Sequence, residues 1–143
     1  MIDAAVLDAS VGIKLFVEEE DSAQADRLFS QLTGSPPARF YVPDLFFIEC
    51  ANVLWKYVRR LDYLVENALQ DVRNLQALAL RTVSTADLLV PALELALTYD
   101  ITAYDACYAA LAQQINLPLV TADTSLAAKL KNSDIEIRIL AEL

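Results

Sequence analysis

Residues 4–10 read Ala-Ala-Val-Leu-Asp-Ala-Ser, and this stretch decides the fold. Ala4 to Leu7 is a short uninterrupted apolar run between Asp3 and Asp8. That pattern belongs to a strand buried on both faces of a parallel sheet rather than to a strand with one wet face. Ser10 is placed to cap a helix running through Val17. Working outward, the acidic run Glu18-Glu19-Glu20-Asp21 precedes a helix from Ser22 to Leu32, where negative charge favours the helix N-terminus. Gly34-Ser35-Pro36-Pro37 is the clearest loop. Phe40-Tyr41-Val42 makes a second strand, and Pro43-Asp44 opens a long helix to about Arg60. A helix from Val65 to about Leu80 leads to a third strand, Arg81-Thr82-Val83. Thr85 or Asp87 then opens a helix through Tyr99, and another covers Ala103 to Ile115, ended by Asn116 and Pro118. Leu119-Val120-Thr121 is the fourth strand, Ser125 to Leu130 a short helix, and Ile135 to Leu140 the fifth strand. Short strands alternating with helices specify an α/β domain with a mostly parallel five-stranded sheet. With no repeat or linker, residues 1–143 read as one domain.

Composition narrows the chemistry. The chain has 143 residues, of which 56% are hydrophobic and 22% charged, which excludes a disordered chain. It contains no histidine, so Ser-His-Asp and Cys-His catalysis and imidazole metal sites are excluded. Its 2 glycines, Gly12 and Gly34, are too far apart for a dinucleotide fingerprint or a phosphate-cradling loop. Cys50 and Cys107 sit in apolar helical stretches and read as small buried thiols. No signal peptide or membrane-spanning run is visible, so a cytoplasmic protein without membrane attachment is expected.

Chemistry must then rest mainly on carboxylates, hydroxyls, amines or thiols. Asp8 follows the first strand and Asp123 comes two residues after the fourth. Ligands of an open parallel sheet bind beyond the carboxyl ends of its strands, so both acids point at the expected crevice. Glu49 and Asp105 lie inside otherwise apolar helical sequence, where an acid is expensive unless paired, protonated or bound to a cation. A hard divalent cation such as Mg²⁺ or Mn²⁺ takes oxygen ligands of this kind, activates water and stabilises a phosphodiester under attack. Each acid also has a purely local reading: Asp8 and Asp123 as helix caps, Asp105 as a first-turn acid. Glu49, well inside its helix, has none. At about 100° per residue, Lys56 and Arg60 fall within roughly 60° of Glu49, either as a cationic strip for a phosphate backbone or as the solvated basic end of a helix.

The four acids in their contexts carry a resemblance. Val6-Leu7-Asp8-Ala9-Ser10, Pro43 to Lys56 around Glu49, Tyr104-Asp105-Ala106-Cys107-Tyr108-Ala109-Ala110-Leu111-Ala112, and Leu119-Val120-Thr121-Ala122-Asp123-Thr124-Ser125-Leu126 together resemble a PIN domain. Among PIN domains the chain looks most like the VapC-type toxin ribonucleases of type II toxin–antitoxin pairs. The resemblance implies a parallel sheet of order 3-2-1-4-5 flanked by helices. It implies Asp8, Glu49, Asp105 and Asp123 as the acidic pocket that binds Mg²⁺ or Mn²⁺ and cleaves RNA, with Asp8 and Asp105 foremost as metal ligands. Ser10 and Thr121 match the hydroxyls lining that pocket. A homodimer and a small antitoxin whose C-terminal segment blocks the site are also implied. The formal charge of −9 opposes non-specific binding to polyanions, so RNA affinity should be weak, metal-dependent and salt-sensitive. An acidic pocket is a good target for an arginine-bearing inhibitor peptide.

Two readings compete with a nuclease. A receiver-like signalling domain also has acids at strand ends, but it needs a phospho-acceptor Asp at the third strand, and here Arg81-Thr82-Val83 leads into Ser84 and Thr85. A non-catalytic interaction module on a PIN-like scaffold is opposed by the intact set of acids.

Overall fold

Strands and helices alternate along residues 2–143, the residues that the computed structural model describes. In chain order they are β1 (Ala4–Leu7), α1 (Ala9–Gly12), α2 (Ser22–Ser30), β2 (Arg39–Pro43), α3 (Leu45–Arg60), α4 (Val65–Gln76), β3 (Arg81–Val83), α5 (Leu89–Tyr99), α6 (Ala103–Ile115), β4 (Leu119–Thr121), α7 (Thr124–Lys129) and β5 (Ile137–Ile139). The 5-stranded sheet is parallel throughout, in the order β3-β2-β1-β4-β5. A receiver-type sheet has the order 2-1-3-4-5. Here β3 lies at the edge, beside β2 alone, so the receiver-like alternative fails on topology.

The apolar run that opens the sequence becomes the central strand. Ala5, Val6 and Leu7 are fully buried, with helices over both faces, as an uninterrupted apolar strand requires. The order in which successive strands are added reverses at β1, which pairs with β2 on one side and β4 on the other. Such a switch point opens a crevice at the carboxyl ends of the strands. Leu7 pairs with Val120, so Asp8, just beyond β1, comes beside Thr121, the last residue of β4.

Helix α6 packs against β1, β2, β4 and α5. Ala106 to Ala112 are buried without a break, so every face of the helix is covered. A helix enclosed in this way needs small side chains, and Ala and Cys supply five of these seven positions. Its end is as the sequence predicts: Asn116 takes the left-handed conformation at φ 54° and donates to the Ala112 carbonyl.

The first helix departs from expectation. In place of one helix capped by Ser10 and running to Val17, Asp8 is the cap, α1 ends at Gly12, and Ile13–Leu15 form a 3₁₀ turn. Phe16 and Val17 both donate to the Ile13 carbonyl, at 3.1 and 3.2 Å, and close the segment before α2. Gly12 is required by close approach. A methyl group there would lie 2.5 and 2.7 Å from Cζ and Cε2 of Phe46, a ring that is itself fully buried. Gly12→Ala is therefore expected to destabilise by about 1–3 kcal/mol through overpacking. Thermal melts will show a Tm several degrees lower, with partial recovery in a Gly12→Ala, Phe46→Leu double variant.

Helix α3 starts where the sequence places it, and a reciprocal link holds the start. Thr85 N–H donates to Asp44 Oδ1 at 2.9 Å, and Leu45 N–H donates to Thr85 Oγ1 at 3.0 Å. The turn after β2 is thereby tied to the turn after β3, which sets where Glu49 emerges one turn later.

Candidate active site

Asp8 is the centre of a hydrogen-bonded cluster at the β1–β4 edge. Its Oδ1 accepts from the Ser10 N–H at 3.0 Å and from the Ser10 hydroxyl, and its Oδ2 accepts from Thr121 Oγ1 at 2.6 Å. Ser10 Oγ in turn accepts the Ala122 N–H at 3.0 Å, and Thr121 Oγ1 accepts the Asp123 N–H at 3.0 Å. Two hydroxyls thus join the loop after β1 to the loop after β4. Asp8 is only 4% exposed. Burial raises its pKa from the usual 3.8 to about 6; the Ser10 and Thr121 hydroxyls pull it down and the Asp105 charge pushes it further up.

The other three acids come from separate elements. Glu49, half-buried on α3, accepts from Tyr108 Oη of α6 at 2.5 Å. Burial, with the Asp105 charge added, holds its carboxyl above the ordinary range against that hydrogen bond. Asp105 lies in the first turn of α6, capped by Thr102, whose Oγ1 accepts the Asp105 N–H at 3.1 Å. Burial and then the Asp123 charge raise it, while Thr102 and Lys129 lower it. Asp123 is exposed and caps α7, accepting the N–H groups of Ser125 and Leu126 at 3.0 and 3.1 Å. The local roles foreseen for Asp8 and Asp123 as caps and for Asp105 as a first-turn acid are therefore real. They coexist with the cluster, because the charge of Asp105 is felt by Asp8 and Glu49 and it feels Asp123 in turn.

Two openings flank this edge. A groove of about 810 Å³ is lined by Ser10, Glu49, Asn52, Trp55, Lys56 and Tyr104, among others. A cleft of about 260 Å³ contains Asp105, Asp123 and Lys129. Lys56 thus shares the groove with Glu49, whereas Arg60 stands one turn further on, exposed and outside that lining. Cys50 and Cys107 are free and buried, as expected, and burial pushes both thiols up, away from reactive thiolate.

The donor set is made of hard oxygen atoms, and among the described residues Lys129 is the cation whose charge acts on Asp105. Three carboxyls raised by burial and mutual repulsion are groups that a divalent cation would relieve, so the residues present suit one. Among the described residues, no three Asp, Glu or Cys side chains stand close enough to close a coordination shell by themselves.

Reading the sequence alone overlooked Tyr108 and Lys129. Tyr108 had a signal in its spacing of three from Asp105, which places both on one side of α6. Tyr108 is buried, and its hydroxyl is the donor to a half-buried carboxylate. Tyr108→Phe should cost about 1–2 kcal/mol near neutral pH. Paired melts at pH 7.5 and in acid will show the deficit shrinking as Glu49 becomes protonated.

Comparison with known proteins places these features in a family. The PIN domain family model matches residues 5–131. A protein of Pyrobaculum aerophilum named Ribonuclease VapC3 is 40% identical over 126 residues, which is 87% of this chain and 92% of that protein. Among solved structures, VapBC2 of Rickettsia felis bound to a DNA fragment from its promoter aligns with a TM-score of 0.69 at 13% identity, covering 95% of this chain and 98% of that one. A toxin–antitoxin complex from Klebsiella pneumoniae aligns with a TM-score of 0.64 at 19% identity, covering 95% and 97%. The last two similarities concern the fold.

Proposed function

This chain belongs to the PIN-domain family, and on that premise we propose that it is a divalent-metal-dependent endoribonuclease acting as the toxin of a toxin–antitoxin pair. The observation that supports the reading is electrostatic: Asp105 raises the carboxyls of both Asp8 and Glu49 and is itself raised by Asp123, so acids from four separate elements act on one another. Asp8 and Asp105, with Glu49 and Asp123, would hold Mg²⁺ or Mn²⁺. When bound, the ion supplies charge neutralisation at the phosphodiester and activation of water. Ser10 and Thr121 hold both Asp8 oxygens in place, the α7 N-terminus orients Asp123, and Tyr108 orients Glu49. Lys56 meets the RNA backbone in the groove, and Arg60 extends that contact beyond it.

The named relative is called a ribonuclease, and the solved neighbours include toxin–antitoxin assemblies, which supports RNA as substrate and a protein antitoxin as partner. Helix α5 supports a homodimer: Val90, Leu93 and Leu97 are 71, 55 and 78% exposed at helical spacing. Sedimentation of Leu93→Glu, Leu97→Glu should give a monomer where the parent protein gives a dimer. A cytoplasmic location is part of the proposal, and among the described residues no helix is long and apolar enough to cross a membrane.

To test the activity, the purified, partner-free protein is incubated with total cellular RNA plus Mn²⁺ or a chelator, and new 5′ ends are mapped by sequencing. Discrete ends that require the metal are expected. Identical end maps with metal and with chelator would overturn the reading.

A further inference from the structure

The cleft that contains Asp105 and Asp123 also contains a tethered cation. Lys129, the last residue of α7, donates from Nζ to the Asp100 carbonyl at 2.9 Å. Asp100 is the left-handed residue, at φ 55°, that ends α5, and the turn after it leads to Thr102, the cap of α6. One side chain thus ties the helix capped by Asp123 to the turn that opens the helix carrying Asp105. Side chains of a helix lean toward its N-terminus, so the Lys129 stem runs back along α7 toward the Asp123 end. Among the described residues lining this cleft Lys129 is the only cation, beside Asp100, Asp105 and Asp123. It makes no direct ion pair with either Asp105 or Asp123 among the described residues. The carbonyl tether therefore keeps a positive charge near the two carboxylates without letting it collapse onto them, and their oxygens stay available to an ion.

We propose that Lys129 is a positioning residue whose tethered ammonium takes the place of a second divalent ion, so that the acids hold a single one. The proposal deepens the nuclease reading and rests on it. The two sides of the site are furnished differently. Asp8 and Glu49 are met by neutral donors, the hydroxyls of Ser10, Thr121 and Tyr108. Asp105 and Asp123 share their side with the ammonium, whose charge lowers the Asp105 carboxyl against burial and Asp123, which raise it. Sites that take two ions hold them about 3.5–4 Å apart, which dense negative charge makes possible. A cation fixed beside two of the four carboxylates removes part of that charge and repels a second ion. An ammonium has three donors and the Asp100 carbonyl accepts one of them, so the tether and the charge are supplied by the same group.

Counting bound ions tests this without any substrate. Mn²⁺ is titrated into the purified chain to millimolar levels, and bound and free ion are separated by electron paramagnetic resonance. The parent should hold a single Mn²⁺. Lys129→Met, which loses charge and tether, and Lys129→Gln, which loses the charge but keeps an N–H donor, should each hold a second. Both should bind the first about tenfold more tightly, because a like charge has gone. Lys129→Arg keeps the charge and a donor for the Asp100 carbonyl and should match the parent. Cleavage of a mapped target RNA is the second readout. At a Mn²⁺ level that saturates the parent, Lys129→Met should lose about tenfold in kcat with KM nearly unchanged, and excess Mn²⁺ should restore the rate by filling the second position. A tether that served only folding would lower the Tm, and excess ion would not repair it. Two Mn²⁺ on the parent, a single Mn²⁺ on Lys129→Met, or a loss that excess Mn²⁺ leaves in place would overturn the proposal while leaving metal-dependent cleavage by the parent intact. The change in ion number without cleavage of any RNA would keep this role for Lys129 and remove the nuclease reading. No Mn²⁺ on the parent at all would overturn both.

Discussion

Asp8→Asn is expected to abolish metal-dependent RNA cleavage, lowering kcat/KM by about 10³-fold or more, because a charge that holds the ion and the transition state is lost. Asp105→Asn should have a comparable effect, since Asp105 is the charge felt by both Asp8 and Glu49. The amide of Asn keeps the shape of the side chain: its oxygen can still accept from Ser10 while its NH2 faces Thr121 as a donor, so the loss would be chiefly one of charge and not of folding. Cleavage of a mapped target RNA, measured over a range of Mn²⁺, decides it. Full activity in either variant would remove that residue from the site.

The second large effect has the opposite sign. Without metal, the same Asp8→Asn variant should be more stable than the parent protein. The Asp8 carboxyl titrates near 3.8 when the chain is unfolded and at about 6 in the fold, chiefly because burial penalises its charge. The protonated acid is thus favoured by folding. Its contribution is complete below pH 3.8 and lost as the pH rises through about 6. Above that, the buried carboxylate destabilises the metal-free fold by about 3 kcal/mol relative to a neutral side chain. Asn has no charge to bury, so in chelator at pH 7.5 its Tm should be about 6–12 °C higher, and the gap should close near pH 4. Added Mg²⁺ should raise the parent Tm and leave the variant almost unmoved, because only a group that binds the ion in the folded state couples binding to stability. A variant no more stable than the parent in chelator would mean that Asp8 is not charged in the metal-free fold.

These opposite effects have one origin: the carboxylate is held in a dry position at the end of the central strand. The hydroxyls of Ser10 and Thr121 offset part of that burial and prevent Asp8 from turning to solvent. Their placement explains why a serine two residues after Asp8 and a threonine closing the fourth strand accompany the acids.

The parallel sheet was legible in the sequence because a strand buried on both faces has to be continuously apolar, as Ala4–Leu7 and Leu119–Val120 are. Boundaries were legible where punctuation is strong, as at Asn116 and Pro118 or at Pro43-Asp44, and poorly so between Ser10 and Val17. There Gly12, the last residue of α1, lies close against Phe46, a contact between residues far apart in the chain. Asp8 and Asp123 could be picked out by their places just beyond strands, and Glu49 and Asp105 because a carboxylate in apolar helical sequence is conspicuous, while their grouping into one pocket came from the family resemblance. Their shared electrostatics, the Tyr108 donor and the reach of Lys129 to the Asp100 carbonyl were decided only by the tertiary structure. Hydrogen bonding, burial and exposure are relations between elements, and local sequence governs local backbone while leaving open which element will arrive to cover or complete a side chain.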